Sequence, residues 1–202
     1  EWFENGKISV EGYFTNGEKE SHWAFWLENG NKDFEGDFKA GLRDGLWTFY
    51  SENSGDKSYA GMYKEDKRNG EWIFLYPNQQ EWKKGNYLND VKDGLWSYWS
   101  EEKQLIMQGN FKKGKEDGIF KGWYDNEKLA FEKPFKNGYL DGEYKAWLYN
   151  GRFDFYTNFN KGSGVTRKFH TNGNISIEIT YKKNNIVEKK CWDNQGNKIE
   201  CK

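Results

Sequence analysis

Five glycines, Gly45, Gly70, Gly94, Gly118 and Gly142, recur at steps of 25, 24, 24 and 24 residues, and Trp47, Trp72 and Trp96 stand two places beyond the first three. Phe120 and Tyr144 fill the same aromatic slot after Gly118 and Gly142, and Trp23 lies 24 residues before Trp47. A second column keeps step: Gly12, Gly36, Gly61, Gly85 and Gly109 are each followed two residues later by Phe14, Phe38, Tyr63, Tyr87 or Phe111. A period of this length marks an array of small supersecondary units, each of which buries its apolar side only by stacking on its neighbours.

The unit is legible in Asp33 to Tyr63. Phe34, Gly36 and Phe38 alternate with charged residues, the period-2 signature of a half-buried strand. Ala40 to Gly45 is rich in turn formers, and Leu46-Trp47-Thr48-Phe49-Tyr50 has strong strand propensity, with Trp47 and Phe49 on one face. After Ser51 to Gly55, Tyr59, Gly61 and Tyr63 repeat the first pattern. Each repeat therefore reads as a β-hairpin, and glycine between two aromatics leaves room for a ring from the adjacent strand. Asp44, Asp93, Asp117 and Asp141 precede the repeat glycines and read as hairpin-turn residues rather than as paired acid and base catalysts. Pro77 falls in a turn, and Pro134 is placed at a strand start.

Aromatic residues make up 19% of the chain although its hydrophobic fraction is only 35%, so large rings at fixed intervals must supply the core. The fold class expected is all-β, an elongated single-sheet antiparallel β-meander of about seven to eight tandem hairpin repeats of 24 residues. Residues 1–202 read as one repeat domain, with N-terminal capping repeats over 1–35, core repeats over 36–157, and degenerate repeats with a cap over 158–202. Ser21 replaces the repeat glycine near one end, and Val165 to Phe169 has lost the Trp near the other. The repeat core comprises Trp23, Trp47, Trp72, Trp96, Phe120 and Tyr144 with Gly36, Gly45, Gly61, Gly70, Gly85, Gly94, Gly109, Gly118 and Gly142.

Charge is balanced and interspersed, 31 basic against 32 acidic residues, which leaves no basic footprint for nucleic acid. No apolar stretch is long enough for a transmembrane segment, and the chain opens at Glu1, which points to removal of an upstream segment.

Gly36-Asp37-Phe38 with Asp44-Gly45-Leu46-Trp47-Thr48-Phe49-Tyr50, Gly85-Asn86-Tyr87 with Asp93-Gly94-Leu95-Trp96-Ser97-Tyr98, and Lys136-Asn137-Gly138 with Asp141-Gly142-Glu143-Tyr144 resemble membrane occupation and recognition nexus (MORN) repeats. The likeness is greatest to the bacterial variant, which includes proteins labelled YwqK-type antitoxins; Glu4-Asn5-Gly6-Lys7 and Trp192 to Lys198 look like that group. The resemblance implies a meander of hairpins that serves attachment, to protein or to lipid headgroups, and implies no catalysis. Trp23 to Gly30 also looks like the aromatic repeats of choline- and wall-binding modules, whose rings cage cations or stack on sugars.

A scaffold carries the same residues in every unit, whereas an active site needs one set, and the repeated residues here predict no enzyme, no cofactor and no metal site. His22 and His170 each adjoin an aromatic repeat position, with no carboxylate or cysteine at metal-ligand spacing in sequence, and read as surface or edge residues. Trp26, Tyr50, Trp99 and Trp123 fall on the parity opposite to the core rings and form the candidate binding surface. They either rest on turns and lysine stems or present a ladder of rings to a ligand. A protein partner is the first expectation, an antitoxin-like role masking a toxin the second, and glycan or lipid headgroups the third; open sheet edges also allow an edge-mediated homodimer. Cys191 and Cys201 flank the turn Asn194 to Asn197, so the last hairpin either closes a disulfide or holds two thiols. A disulfide favours export to a periplasm, cell surface or medium; free thiols favour a cytoplasmic location.

Overall fold

The computed structural model describes residues 1–201, which form antiparallel strands and, among the described residues, no helix. Two compact units divide the chain, Glu1–Gln104 and Leu105–Lys202.

The first unit runs β1 (Val10–Thr15), β2 (Glu18–Trp26), β3 (Lys32–Lys39), β4 (Leu42–Tyr50), β5 (Lys57–Lys64), β6 (Lys67–Leu75), β7 (Glu81–Leu88) and β8 (Val91–Trp99), each paired with its sequence neighbour. Its core is a spine of tryptophans: Trp23, Trp47, Trp72 and Trp96 are nearly sealed from solvent, at 4, 1, 1 and 0% exposure. Burying one such ring is worth up to about 4–6 kcal/mol. Glycine makes the burial possible. Gly36 lies directly across from Trp47, Gly61 from Trp72 and Gly85 from Trp96, and a Cβ on any of the three would sit 2.2–2.4 Å from the facing ring. The glycine column is thus a set of floors on which the next strand's rings lie flat, as the sequence predicts.

The residue after each of these glycines bulges out of register, which frees a backbone carbonyl. The indole takes it: Trp47 Nε1 donates to Asp37 O at 3.0 Å, Trp72 Nε1 to Met62 O at 3.0 Å and Trp96 Nε1 to Asn86 O at 3.1 Å. One tryptophan therefore supplies apolar area and satisfies the polar group that its own strand geometry strands. Cations close the top of the spine, with Lys19 Nζ 4.7 Å from the Trp23 ring, Arg43 Cζ 4.1 Å from Tyr63, Arg68 Cζ 4.0 Å from Tyr87 and Lys92 Nζ 4.1 Å from Trp96.

The second unit contains β9 (Leu105–Lys112), β10 (Lys115–Glu116), β11 (Gly118–Trp123), β12 (Leu129–Lys136), β13 (Tyr139–Leu140), β14 (Gly142–Trp147) and β15 (Phe153–Phe159) in one meander. β16 (Gly164–Phe169), β17 (Ile175–Lys182), β18 (Asn185–Trp192) and β19 (Lys198–Ile199) hydrogen-bond as a separate four-stranded sheet. Phe120 occupies the tryptophan slot over Gly109, with no indole N–H to offer. The freed carbonyl of Asn110 instead accepts from the Asp117 amide at 2.8 Å, and the strand breaks there into β10 and β11. Pro134 O accepts from Asp141 N at 2.9 Å in the same way, between β13 and β14. Pro134 thus lies near the end of β12 and not at a strand start; it stays in register with Ile119 of β11, and on its other side it falls opposite the break between β13 and β14.

The hairpin turns correct one reading. Asp44-Gly45 and Asp93-Gly94 are inside β4 and β8, where Gly45 holds φ +101°, and Asp117 and Asp141 stand at the breaks before β11 and β14. The two-residue turns come four positions earlier, at Ala40-Gly41, Glu65-Asp66 and Asn89-Asp90, with positive φ at both residues. Asp-Gly is a turn signal by composition, but here its glycine serves an in-strand left-handed kink. Asp66 and Asp90 take the second turn position without glycine, and their carboxylates accept from the backbone amide and guanidinium of Arg43 and Arg68 of the preceding hairpin. At the other strand ends, Asn5, Asn29, Asn78 and Asn126 each donate to a carbonyl 23 residues on, so successive turns are tied together along that side as well.

Candidate binding faces

Side chains alternate across a strand, so the tryptophan spine of the first unit leaves an opposite face whose composition it does not dictate. Trp26 and Tyr50 lie on it, half-buried at the last positions of β2 and β4. Lys32 reaches between them, its Nζ 5.8 Å from the Trp26 ring and 5.7 Å from the Tyr50 ring, and binds Glu35 Oε2 at 2.6 Å. The Tyr50 hydroxyl donates to Glu35 Oε1. Burial pushes Glu35 up, but hydrogen bonds from Lys32 and Tyr50 outweigh it and hold the carboxyl below its ordinary range. Burial, and then the Glu35 charge, push the Tyr50 hydroxyl up to about 12.

His22 joins this cluster, with Nδ1 3.1 Å from Asp37 Oδ1 and Nε2 3.4 Å from Glu35 Oε2. Spacing along the chain hid this contact, because the carboxylates come from the neighbouring strand, where Asp37 pairs directly with His22. His170 is also more than an edge residue: its Nε2 lies 2.9 Å from Trp192 O, repeating the bonds that the Tyr76 and Tyr124 hydroxyls donate to Trp99 O and Trp147 O. Among the described residues no group of three or more His, Cys, Asp or Glu is arranged to hold a metal ion.

Trp99, half-buried at the end of β8, borders a cleft of about 300 Å³ with Gln79, Gln80, Glu81 and Lys103. Lys84 Nζ stands 5.9 Å from its ring. Trp123, in the second unit, is likewise half-buried, at a register shift that follows Gly122. The structure thus brings Trp26 and Tyr50 together through Lys32 and gives Trp99 a cleft of its own.

A set of exposed aliphatic side chains on this face was not singled out by parity. Leu42, Leu46, Met62, Leu88, Val91 and Leu95 lie toward the two-residue turns, with Leu46 56% and Leu95 48% exposed. Leu46 and Met62 are directly cross-strand, and a cleft of about 710 Å³ opens beside them, lined by Leu42, Asp44, Met62, Lys64 and Asn69 among others. Their signal in the sequence is the residue between glycine and tryptophan, which is Leu at 46 and 95, Glu at 71 and Ile at 119.

A family model for the MORN repeat variant matches residues 92–113, 116–137 and 163–183. These segments are MORN repeats. The first matched MORN repeat contains the Trp96 position of the spine, the second contains Phe120 and the third Thr166, so the matches track one structural slot as its side chain shrinks. MORN repeats are commonly binding modules, generally without enzymatic activity. No curated protein matches the chain. No helix among the described residues is long and apolar enough to cross a membrane.

Cys191 and Cys201 form a disulfide, with Cα atoms 5.3 Å apart, and tie β18 to the segment that follows β19.

Proposed function

We propose that this chain is a non-catalytic MORN-repeat scaffold that docks a protein partner on the face opposite the tryptophan spine. The observation that carries the reading is a pair of exposed apolar clusters on this face, Leu42, Leu46 and Met62 beside a cleft and Leu88, Val91 and Leu95 on β7 and β8, with Glu71 and Asn86 between them. Exposed apolar surface rimmed by charge is characteristic of protein interfaces. The disulfide supports an exported protein, since such bonds persist in oxidising compartments. An antitoxin-like role is the same docking with a small toxic enzyme as the partner.

Affinity capture from soluble and envelope fractions, read by mass spectrometry, tests this with a Leu46→Glu/Leu95→Glu variant as control. Both sites are exposed, so the variant keeps its fold and loses the partner. Equal capture by the variant and the parent chain would refute docking on this face.

Glycan recognition is a second reading, favoured by the Trp99 cleft, where a ring borders two amides, a carboxylate and an ammonium group. Tryptophan fluorescence titrated with peptidoglycan fragments and choline separates the two readings, because a protein-only scaffold gives no change that Trp99→Ala abolishes.

A further inference from the structure

β15 and β16 are joined by a two-residue turn, Lys161-Gly162, with positive φ at both positions, and everywhere else in the second unit such a turn joins paired strands. Here pairing stops at the Asn160–Ser163 bridge, and β15 and β16 belong to different sheets. The side chains explain why. Aligning Gly164 with Gly118 puts Thr166 in the slot held by Phe120 and, in the first unit, by tryptophan. Continuing the register of the bridge sets Thr157 against it, where the hairpins of the first unit and β9 with β11 use glycine and β12 with β14 uses Lys133. Both threonines are 6% exposed, and the Thr166 hydroxyl is buried without a hydrogen-bond partner. The ring-over-glycine lock of the first unit is missing from this hairpin, and two threonines meet instead.

A cleft of about 420 Å³ occupies the opening, within the range of about 300–1,000 Å³ typical of ligand sites. Its lining is asymmetric. Phe153 to Asn158 contribute six consecutive residues of β15, which is what a strand offers when its backbone edge faces a space. β16 contributes only Val165, Arg167 and Phe169, alternate residues of one side-chain face. The cleft therefore has a hydrogen-bonding edge on one wall and an apolar face with a guanidinium on the other.

We propose that this cleft accepts an extended segment of a partner protein, which adds as a strand to the edge of β15 and lays alternate apolar side chains against Val165 and Phe169 of β16. The proposal rests on the scaffold reading and gives it a second, separate docking site. Backbone bonds to an open edge with side-chain pockets beside it is a recurrent mode of peptide recognition. An open edge otherwise leaves a row of N–H and C=O groups to water.

The test is selection of ten-residue peptides from a random display library on the whole protein, followed by hydrogen exchange of the free and peptide-bound chain. In the free protein, alternate amides of β15 exchange faster than those of β14. Selected peptides alternate apolar and polar residues, and slow those same amides at least about tenfold. Phe169→Ala, on the exposed rim, weakens binding about tenfold, while Tyr139→Ala, exposed elsewhere in this unit, leaves it unchanged. Uniformly slow β15 amides in the free protein overturn the proposal, since the edge would already be paired. Peptides that protect only the Leu46–Leu95 face overturn it too, and leave the scaffold reading standing.

Discussion

At Gly61 and Gly94 the same substitution to alanine meets two different obstacles. A methyl at Gly61 would overlap the Trp72 ring, with 2.2 Å to its nearest atom, whereas at Gly94 nothing lies within 4 Å and the obstacle is a backbone φ of +72°. Overpacking a sealed core costs about 3 kcal/mol, and forcing a side chain into the left-handed region about 1–2 kcal/mol. Urea denaturation is expected to show Gly61→Ala well below Gly94→Ala, and equal losses would remove the distinction. The two columns were legible as columns in the sequence. Their separate causes were not, because one depends on a cross-strand ring and the other on the local dihedral. Glu35 and Tyr50 set a pH window. With its folded value below the ordinary 4.5, Glu35 contributes stability that is complete above 4.5 and is lost as pH falls through the folded value. Tyr50, raised from 10.0 to about 12, contributes stability that is complete below 10.0 and lost as pH climbs toward 12. Tyr50→Phe is expected to reduce the alkaline loss, to which Tyr59, Tyr63 and Tyr144, also raised by burial, still contribute, and to shift the acid loss to higher pH in denaturation midpoints measured across that range.

On the scale of strands, what decides whether a hairpin closes is the pair that meets at its centre. Trp over Gly closes β3 with β4, β5 with β6 and β7 with β8; Phe over Gly closes β9 with β11, and Tyr over Lys133 closes β12 with β14, both at the cost of a broken strand; Thr against Thr leaves β15 and β16 open. The loss of Trp after Gly164 was visible in the sequence as decay of the repeat. Its result, a new sheet, was not, because an orphaned hydroxyl and an unzipped edge appear only in three dimensions. Thr166→Val, which keeps the shape and removes the unpaired hydroxyl, is expected to stabilise the second unit by about 1 kcal/mol. Thermal melts of the two proteins measure it, and a destabilised variant would mean the hydroxyl has a partner in solution. The same lesson applies to the Asp-Gly dipeptides, which read as hairpin turns by composition, whereas the positive φ falls on their glycines, four residues past the turns at Gly45 and Gly94.

For the whole molecule, contacts run between strands adjacent in sequence, so stability is a sum of local terms rather than the property of one centre. Four sealed tryptophans hold the first unit, whereas Phe120, Tyr144 and Thr166 hold the same slots in the second. Residue-resolved hydrogen exchange in increasing denaturant should therefore show the second unit opening first; simultaneous loss would show that the spine does not set the order. The disulfide closes a short loop at the far end of that unit, and its reduction is expected to remove up to about 3 kcal/mol there. Thiol titration of unreduced protein should find none, and reductant should accelerate exchange at Lys198–Ile199 while β2 to β8 stay protected.

The graded series Trp96, Phe120, Tyr144, Thr166 also numbers the hairpins. Arrays of identical units suffer from misalignment, since a strand displaced by one whole period finds the same partner and loses little. In this chain a one-period shift toward the C terminus takes Phe120 from Gly109 onto Lys133, where there is no glycine floor for the ring. The hairpins beyond Trp96 carry an address, written in the identity of one side chain and the residue it faces, and slippage by a full repeat is penalised there although the backbone could not tell the difference.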